Sequence, residues 1–414
     1  MLVKFGGSAE VGLGGRTRVW VCLVLVLGAA AGVGVGVPLA LRVDPGATLS
    51  QRLNTVRSLL QDTPLFDGHN DLPWNIRKFM HNKLHSFNFT AELKQLRPWS
   101  RSSWSHTDLP RLKEGMVGAQ FWVSYVPCKS QKLNAVQLTI EQIDLIKRLI
   151  DQYPDHLRLA TSADEVEAAF KEGRIASLIG VEGGHAIQNS LGVLRALRDL
   201  GVRYLTLTHT CSTPWWPVSS QVTSSDITHL LWLNFPSRSP FTRGGGGGSG
   251  LSVHGPRDRP RGPQRTQGTH LLWQDVCILF SNGRRDGDDG DDDDDGDGDD
   301  DGDGDDDDDQ SKNGGIVMVS FYNYFLTCSE QATISDVIEH INHVRKVAGV
   351  DHVGIGADFD GINKLPVGLP DVSAYPSLFA ELLSDPSWTI SDLRKLAGEN
   401  LLRVMRQVEQ VRYR

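Results

Sequence analysis

The sequence predicts an α/β protein of the (β/α)8 TIM-barrel class, with two central strands missing or replaced. Three observations lead there. Short apolar, β-rich runs alternate with amphipathic helical stretches, the pattern of βαβ units around a parallel sheet. Six such runs are visible, and a closed barrel of this kind needs eight. The gap in the series coincides with a stretch of foreign composition, where the two unseen strands would fall.

The runs are Pro64–Phe66, Gly118–Ser124, Ala176–Val181 and Arg203–Thr208, then Ile316–Phe321 and His352–Ala357. Helical stretches follow or separate them at Ala135–Tyr153, Ser162–Glu172, Ser190–Leu200, Ile334–Ala348 and Ile390–Val411. In the first helix Val136, Ile140, Ile143, Ile146, Ile150 and Tyr153 recur at steps of three and four, which assigns them to one helical face.

The chain has 414 residues, enough for two domains or one barrel with additions. Residues 61–214 and 313–411 read as globular sequence and form the two parts of the barrel. Residues 215–312 differ. They hold the run Gly244–Gly248, a basic Pro/Gly stretch from Gly255 to Gly268, and the segment Asp286–Asp309, made of 18 Asp and 6 Gly. Such compositions bury too little apolar surface to offset chain entropy, so a solvated linker is expected. A cation-binding acidic run and translated intron sequence are the other readings. Removing those 18 carboxylates turns the formal net charge of −9 into +9, so the acidic balance says nothing about partners of the folded part. Composition excludes a wholly disordered chain, a collagen repeat, a disulfide-dense miniprotein and a multi-span membrane protein. No nucleic-acid partner is expected.

At the N-terminus Lys4, Arg16 and Arg18 precede an uncharged stretch from Val19 to Leu41, with Ala29-Ala30-Ala31 fitting a cleavage site. Residues 1–41 thus read as a signal peptide or, alternatively, an uncleaved signal anchor. Entry into the secretory route gives Cys128, Cys211, Cys277 and Cys328 an oxidising compartment and makes the sequon at Asn88 usable. The C-terminal Gln407–Arg414 is charged and carries no lipid-anchor signal.

The candidate chemistry sits at strand ends. His69 and Asp71 come just after the first run, Glu182 directly after the third, His209 after the fourth and Asp358 after the sixth. Each alone has an ordinary structural explanation, as a polar pair, a helix cap or a packed ring. In a parallel barrel, however, all strand C-termini open on one rim, which gathers two His and three carboxylates. Imidazole and carboxylate together suit Zn2+. An extended His-x-Asp sends both side chains to the same face, and a Glu from a neighbouring strand can bridge to a second ion. Asp358 is then a proton shuttle or orients the nucleophilic water, and His209 stabilises a developing oxyanion. No Gly-x-Ser-x-Gly elbow or phosphate loop occurs.

Four motifs carry a resemblance: Asp67-Gly68-His69-Asn70-Asp71-Leu72-Pro73-Trp74, Gly180-Val181-Glu182-Gly183-Gly184-His185, Tyr204-Leu205-Thr206-Leu207-Thr208-His209-Thr210-Cys211 and Gly356-Ala357-Asp358-Phe359-Asp360-Gly361. Together they resemble the membrane dipeptidase (renal dipeptidase) family. The resemblance implies an amidohydrolase-type barrel with two zinc ions. It implies hydrolysis of dipeptides, including those with a C-terminal D- or dehydro-residue, and of cysteinylglycine-type conjugates. It also implies a GPI-anchored, disulfide-linked homodimer at the cell surface. By the same resemblance His69 and Asp71 are ligands of one zinc and Glu182 the bridging carboxylate. His209 and Asp358 contact substrate, with Asp358 the catalytic aspartate, and Cys128 pairs with Cys211. His185 is structural.

The family also supplies two histidines for the second zinc and a substrate-gripping arginine, all from the region that is 215–312 here. None is matched: His229, His254 and His270 read as incidental, and Cys277 replaces the expected partner of Cys328 only by chance. The alternative to a zinc dipeptidase is therefore a catalytically impaired relative acting as a non-enzymatic binding protein.

Overall fold

The computed structural model describes residues 46–213, 229–232, 277–279 and 314–411. The expected leader at 1–41 lies outside them, as does nearly all of the 215–312 segment, His254 and His270 included. Among the described residues no helix is long and apolar enough to cross a membrane.

Helix α1 (Leu49–Asp62) opens the described chain, ahead of the barrel boundary read at residue 61. Thr48 and Gln51 close a capping box at its start, satisfying two otherwise orphaned N–H groups. Strand β1 (Leu65–Asn70) follows, then α2 (Leu72–Met80), α3 (Leu109–Glu114) and β2 (Val117–Tyr125). Helix α4 (Ala135–Gln152), β3 (Leu157–Leu159), α5 (Ala163–Lys171), β4 (Ile175–Glu182), α6 (Leu191–Asp199) and β5 (Val202–Thr206) complete the first part. Two short strands, β6 (His229–Trp232) and β7 (Cys277–Leu279), lie within the anomalous region. The second part has β8 (Val317–Val319), α7 (Asn323–Thr327), α8 (Ile334–Val347), β9 (Val353–Ile355), α9 (Tyr375–Leu382), α10 (Ile390–Arg394) and α11 (Asn400–Val411).

Pairing runs β2-β1-β9-β8-β7-β6-β5-β4, and β2 pairs β4 to close the ring; β3 adds to β4 outside it. The ring therefore has eight strands. The six expected from the sequence pair in parallel wherever they meet. The two central ones are replaced, and their direction is reversed. β5–β6 and β7–β8 are antiparallel, while β6 and β7 are parallel to each other.

The strands alternate between two apolar layers, as the pleat requires. Leu65, Trp122, Ile179 and Val317 belong to the cluster shared with most helices. Phe66, Phe121, Leu178, Tyr204 and Met318 belong to a second cluster, with one face of α11.

Three sequence expectations change. β1 continues to Asn70, past Phe66, so His69 lies in the strand and not after it. Its polar residues disguise it. Asp67 is buried, accepting hydrogen bonds from Ala357 N (2.9 Å) and Gln120 Nε2 (3.0 Å), which tie β1 to its neighbours. In α4 the buried face holds Thr139, Gln142, Ile143, Leu145, Ile146, Leu149 and Ile150, while Ile140 is 44% exposed. Thr139 and Gln142 can face inward because each side chain finds a backbone acceptor, Ala135 O and Tyr125 O. The expected helix Ile390–Val411 is interrupted by a π turn at Lys395–Glu399. Gly398 there packs so closely on Pro64 O that an added Cβ would come within 3.0 Å; the wide turn admits this approach.

Candidate metal centre

The C-terminal ends of β1, β4 and β5 and the loop after β9 meet at one rim. β4 ends on Glu182, which is in register with Tyr125 of β2. Asp71 stands one residue beyond β1 and starts α2, whose Pro73 occupies the first turn, where a missing N–H costs nothing. The loop after β9 is pinned by Asp358 N–H to His69 O (3.2 Å) and Asp71 N–H to Phe359 O (3.0 Å). Both Asp358 and Asp360 have φ of 67°, a left-handed conformation that costs a non-glycine residue roughly 1–3 kcal/mol and turns the Asp358 carboxylate toward the other strands.

His69 Nε2 lies 3.2 Å from Asp71 Oδ2, 3.7 Å from Glu182 Oε2 and 3.7 Å from Asp358 Oδ1. The other oxygen of Glu182, Oε1, lies 3.0 Å from His209 Nδ1, and the His209 ring rests edge-on against Tyr125. His69, Asp71 and Glu182 are buried. Burial, then repulsion from Glu182, raises the Asp71 carboxyl above its ordinary range. Burial also pushes Glu182 up, but the His209 and His69 imidazoles more than offset it and hold that carboxyl low.

This donor set fits a divalent cation. Each of His69, Asp71 and Glu182 offers a ligand atom within 4.8 Å of the others. Asp71 Oδ1 is buried with no hydrogen-bond partner among the described residues, a costly state for a carboxylate oxygen that a coordinated ion relieves. Gly361 leaves the space open, since a Cβ there would come within 3.0 Å of both Asp71 Oδ2 and Asp358 Oδ1.

One other group of potential ligands occurs among the described residues: Cys128, His185 and Cys211. Its two cysteines form a disulfide, which removes their thiolates. His185 is buried with Nε2 at 2.8 Å from Val126 O, a packing role. Gly183, at φ 89°, must be glycine: its conformation is left-handed, and a Cβ would strike the His185 ring.

His229, read as incidental, opens β6. The antiparallel register sets Leu230 opposite Thr206, which places His229 at the rim end of that strand. Asn88 is exposed, its Oδ1 accepting from Thr90 N and Oγ1. Cys328 is exposed just after α7.

Sequence reasoning missed a buried pair behind Asp358. His106 Nδ1 accepts Asp360 N–H at 3.0 Å, and His106 Nε2 lies 3.0 Å from Ser103 O. The ring is therefore neutral with its hydrogen on Nε2. Burial, then the Arg111 charge, lowers His106 to about 4, against Ser103 O and Asp371. Burial pushes Asp360 up to about 7, against hydrogen bonds from Thr107 and Asn75, the Arg111 charge and the His106 N–H. These two groups act oppositely on stability. His106, depressed from 6.5, binds more protons unfolded, so it adds stability as pH rises from about 4 to 6.5. Asp360, raised from 3.8, binds more protons folded, so it removes stability as pH rises from about 4 to 7. Asp360→Asn cancels the second contribution. Relative to the unsubstituted chain, its unfolding free energy should climb by about 1 kcal/mol per pH unit through that window, read by denaturant melts at stepped pH. A flat difference would show that Asp360 stays ionised.

The family profile described as membrane dipeptidase (Peptidase family M19) matches residues 53–229 and 308–414, well over half of the chain. The chain belongs to the membrane dipeptidase family. The match breaks where the Gly-rich and Asp/Gly runs lie. Dipeptidase 3 of Mus musculus is 40% identical over 367 residues, covering 86% of this chain and 66% of that protein. Dipeptidase 3 of Macaca fascicularis is 39% identical, with 89% and 70% covered. The chain thus spans about two thirds of the length of these relatives. Among solved structures, a metallopeptidase of Rhodobacter sphaeroides liganded with a phosphinate mimic of L-Ala-D-Ala aligns with a TM-score of 0.54 at 18% identity, covering 84% of this chain and 99% of that one. A probable dipeptidase of Pseudomonas aeruginosa aligns at 0.57 and 12% identity, with 87% and 99% covered. At these identities the structures establish the fold alone, a barrel of alternating strands and helices.

Proposed function

We propose that this chain is a zinc-dependent dipeptidase acting in the secretory route, with the rim site of His69, Asp71, Glu182, His209 and Asp358 as its active centre. The convergence of three carboxylates on His69 Nε2, in a chain of this family, carries the reading. The ligand set of one histidine and two carboxylates suits zinc. A bound ion of this kind supplies Lewis acidity and a water of lowered pKa.

The chain's own residues supply the rest. His69, Asp71 and Glu182 would hold the cation, while Glu182 faces His69 with one oxygen and His209 with the other. Asp358 takes a proton from the attacking water and returns it to the leaving amine. His209 Nδ1 stands 3.0 Å from Glu182 Oε1, a contact that orients the ring, and the imidazole offers an N–H to the oxyanion. Substrates are dipeptides, including those with C-terminal D- or dehydro-residues, and cysteinylglycine-type conjugates. The exposed Asn88 sequon and the Cys128–Cys211 disulfide suit secretion. Removing metal from the purified full chain with a chelator should abolish cleavage of a dipeptide panel, and zinc should restore it. A folded, zinc-loaded sample that cuts none of them would leave the non-enzymatic binding role.

A further inference from the structure

Tyr204 reaches across the barrel interior from β5 to β1. It leaves β5, is 1% exposed, and packs its ring against Phe121 with centroids 4.7 Å apart. Its in-register neighbour on β4 is Gly180. A Cβ on Gly180 would come within 3.0 Å of three ring atoms of Tyr204, so glycine there is what lets the ring lie flat across the interior. The hydroxyl thereby passes β4 and β2 and arrives at β1, 3.1 Å from Gly68 O and 3.4 Å from His69 Nδ1.

A phenol has one hydrogen. A carbonyl can only accept, so the Tyr204 hydrogen goes to Gly68 O. The oxygen then faces His69 Nδ1 as an acceptor, and Nδ1 must carry the imidazole hydrogen. That leaves the Nε2 lone pair among Asp71, Glu182 and Asp358, which is the state a metal ligand requires.

We propose that Tyr204 is a positioning residue of the metal centre: its hydroxyl, anchored on Gly68 O, fixes His69 as the Nδ1–H tautomer with Nε2 presented to the cation. This rests on the metal-centre reading above. Partners of this kind set ring orientation and ligand basicity, and losing one typically costs 10–100-fold in metal affinity.

Tyr204→Phe removes the hydroxyl and keeps the ring over Gly180. Zinc affinity of the full chain, measured by competition with a chromogenic chelator, should fall by roughly 10–100-fold, with the near-UV circular dichroism of the metal-free protein unchanged. A folded variant that binds zinc as tightly as the unsubstituted chain overturns the proposal. Should the variant not fold, the unsubstituted zinc-loaded chain decides. Its His69 Nδ1 proton, identified by loss of the signal in His69→Gln, should resist solvent exchange and show a nuclear Overhauser contact to the Tyr204 ring protons. Coordination through Nδ1, or an Nδ1 proton lacking that contact, overturns it. An unsubstituted chain that takes up no zinc overturns the metal-centre reading together with this one, whereas normal uptake by both proteins overturns Tyr204 alone.

Discussion

Glu182→Gln is expected to lower dipeptide turnover by at least about 10³-fold, some 4 kcal/mol of barrier, and to strip the protein of metal. Glu182 contributes an oxygen to each side of the site, Oε2 toward His69 and Oε1 toward His209. The amide keeps the size and removes the charge. A neutral oxygen is a poor replacement for a carboxylate on a divalent ion, and His209 loses its anionic partner. Because β4 is buried along its length and ends on this residue, the strand should still form. Elemental analysis after gel filtration, a turnover assay and far-UV circular dichroism together read the outcome. A folded variant that retains zinc and a tenth or more of the turnover would remove Glu182 from the chemistry.

Gly361→Ala is expected to cost roughly 10²-fold or more in turnover, the scale set by a misplacement of about 1 Å in reacting groups, while leaving the fold nearly intact. The added methyl group would come within 3.0 Å of Asp71 Oδ2 and Asp358 Oδ1. Both are ends of side chains, so they can rotate away without moving backbone. Rotation, however, separates Asp71 from His69 and turns Asp358 out of the cluster. Thermal melting of the metal-free variant should lie within a few degrees of the unsubstituted chain, corresponding to about 1 kcal/mol. Full turnover in a folded Gly361→Ala protein would falsify the crowding argument, and a large drop in melting temperature would show that the loop after β9 also supports the barrel.

The six parallel strands and most helices were legible because apolar periodicity reports burial, and burial is what strands and amphipathic helices achieve here. The five rim residues were legible because each followed such a run. The failures have specific causes. β1 was read too short because Asp67, His69 and Asn70 are polar residues buried in a strand, a state permitted only by partners distant in sequence, Ala357 and Gln120 for Asp67. Thr139 and Gln142 confused the face of α4 for the same reason. The π turn after α10 follows from the closeness of Gly398 to Pro64 O, a contact between residues more than 300 positions apart.

His106 carried no signal at all: it lies between α2 and α3, and only the fold brings its Nδ1 to the Asp360 N–H. Tyr204 and Gly361 were within recognisable motifs, yet their roles depend on distances across the barrel. Local pattern therefore fixed which segments become strands and which residues arrive at the rim, since both follow from chain direction and side-chain period. The tautomer of His69, the turn of Asp358, the closing direction of β6 and β7 and the room left by Gly180 and Gly361 emerged from packing alone. They are set by hydrogen bonds and steric limits between elements far apart in the chain, and no short-range pattern encodes those.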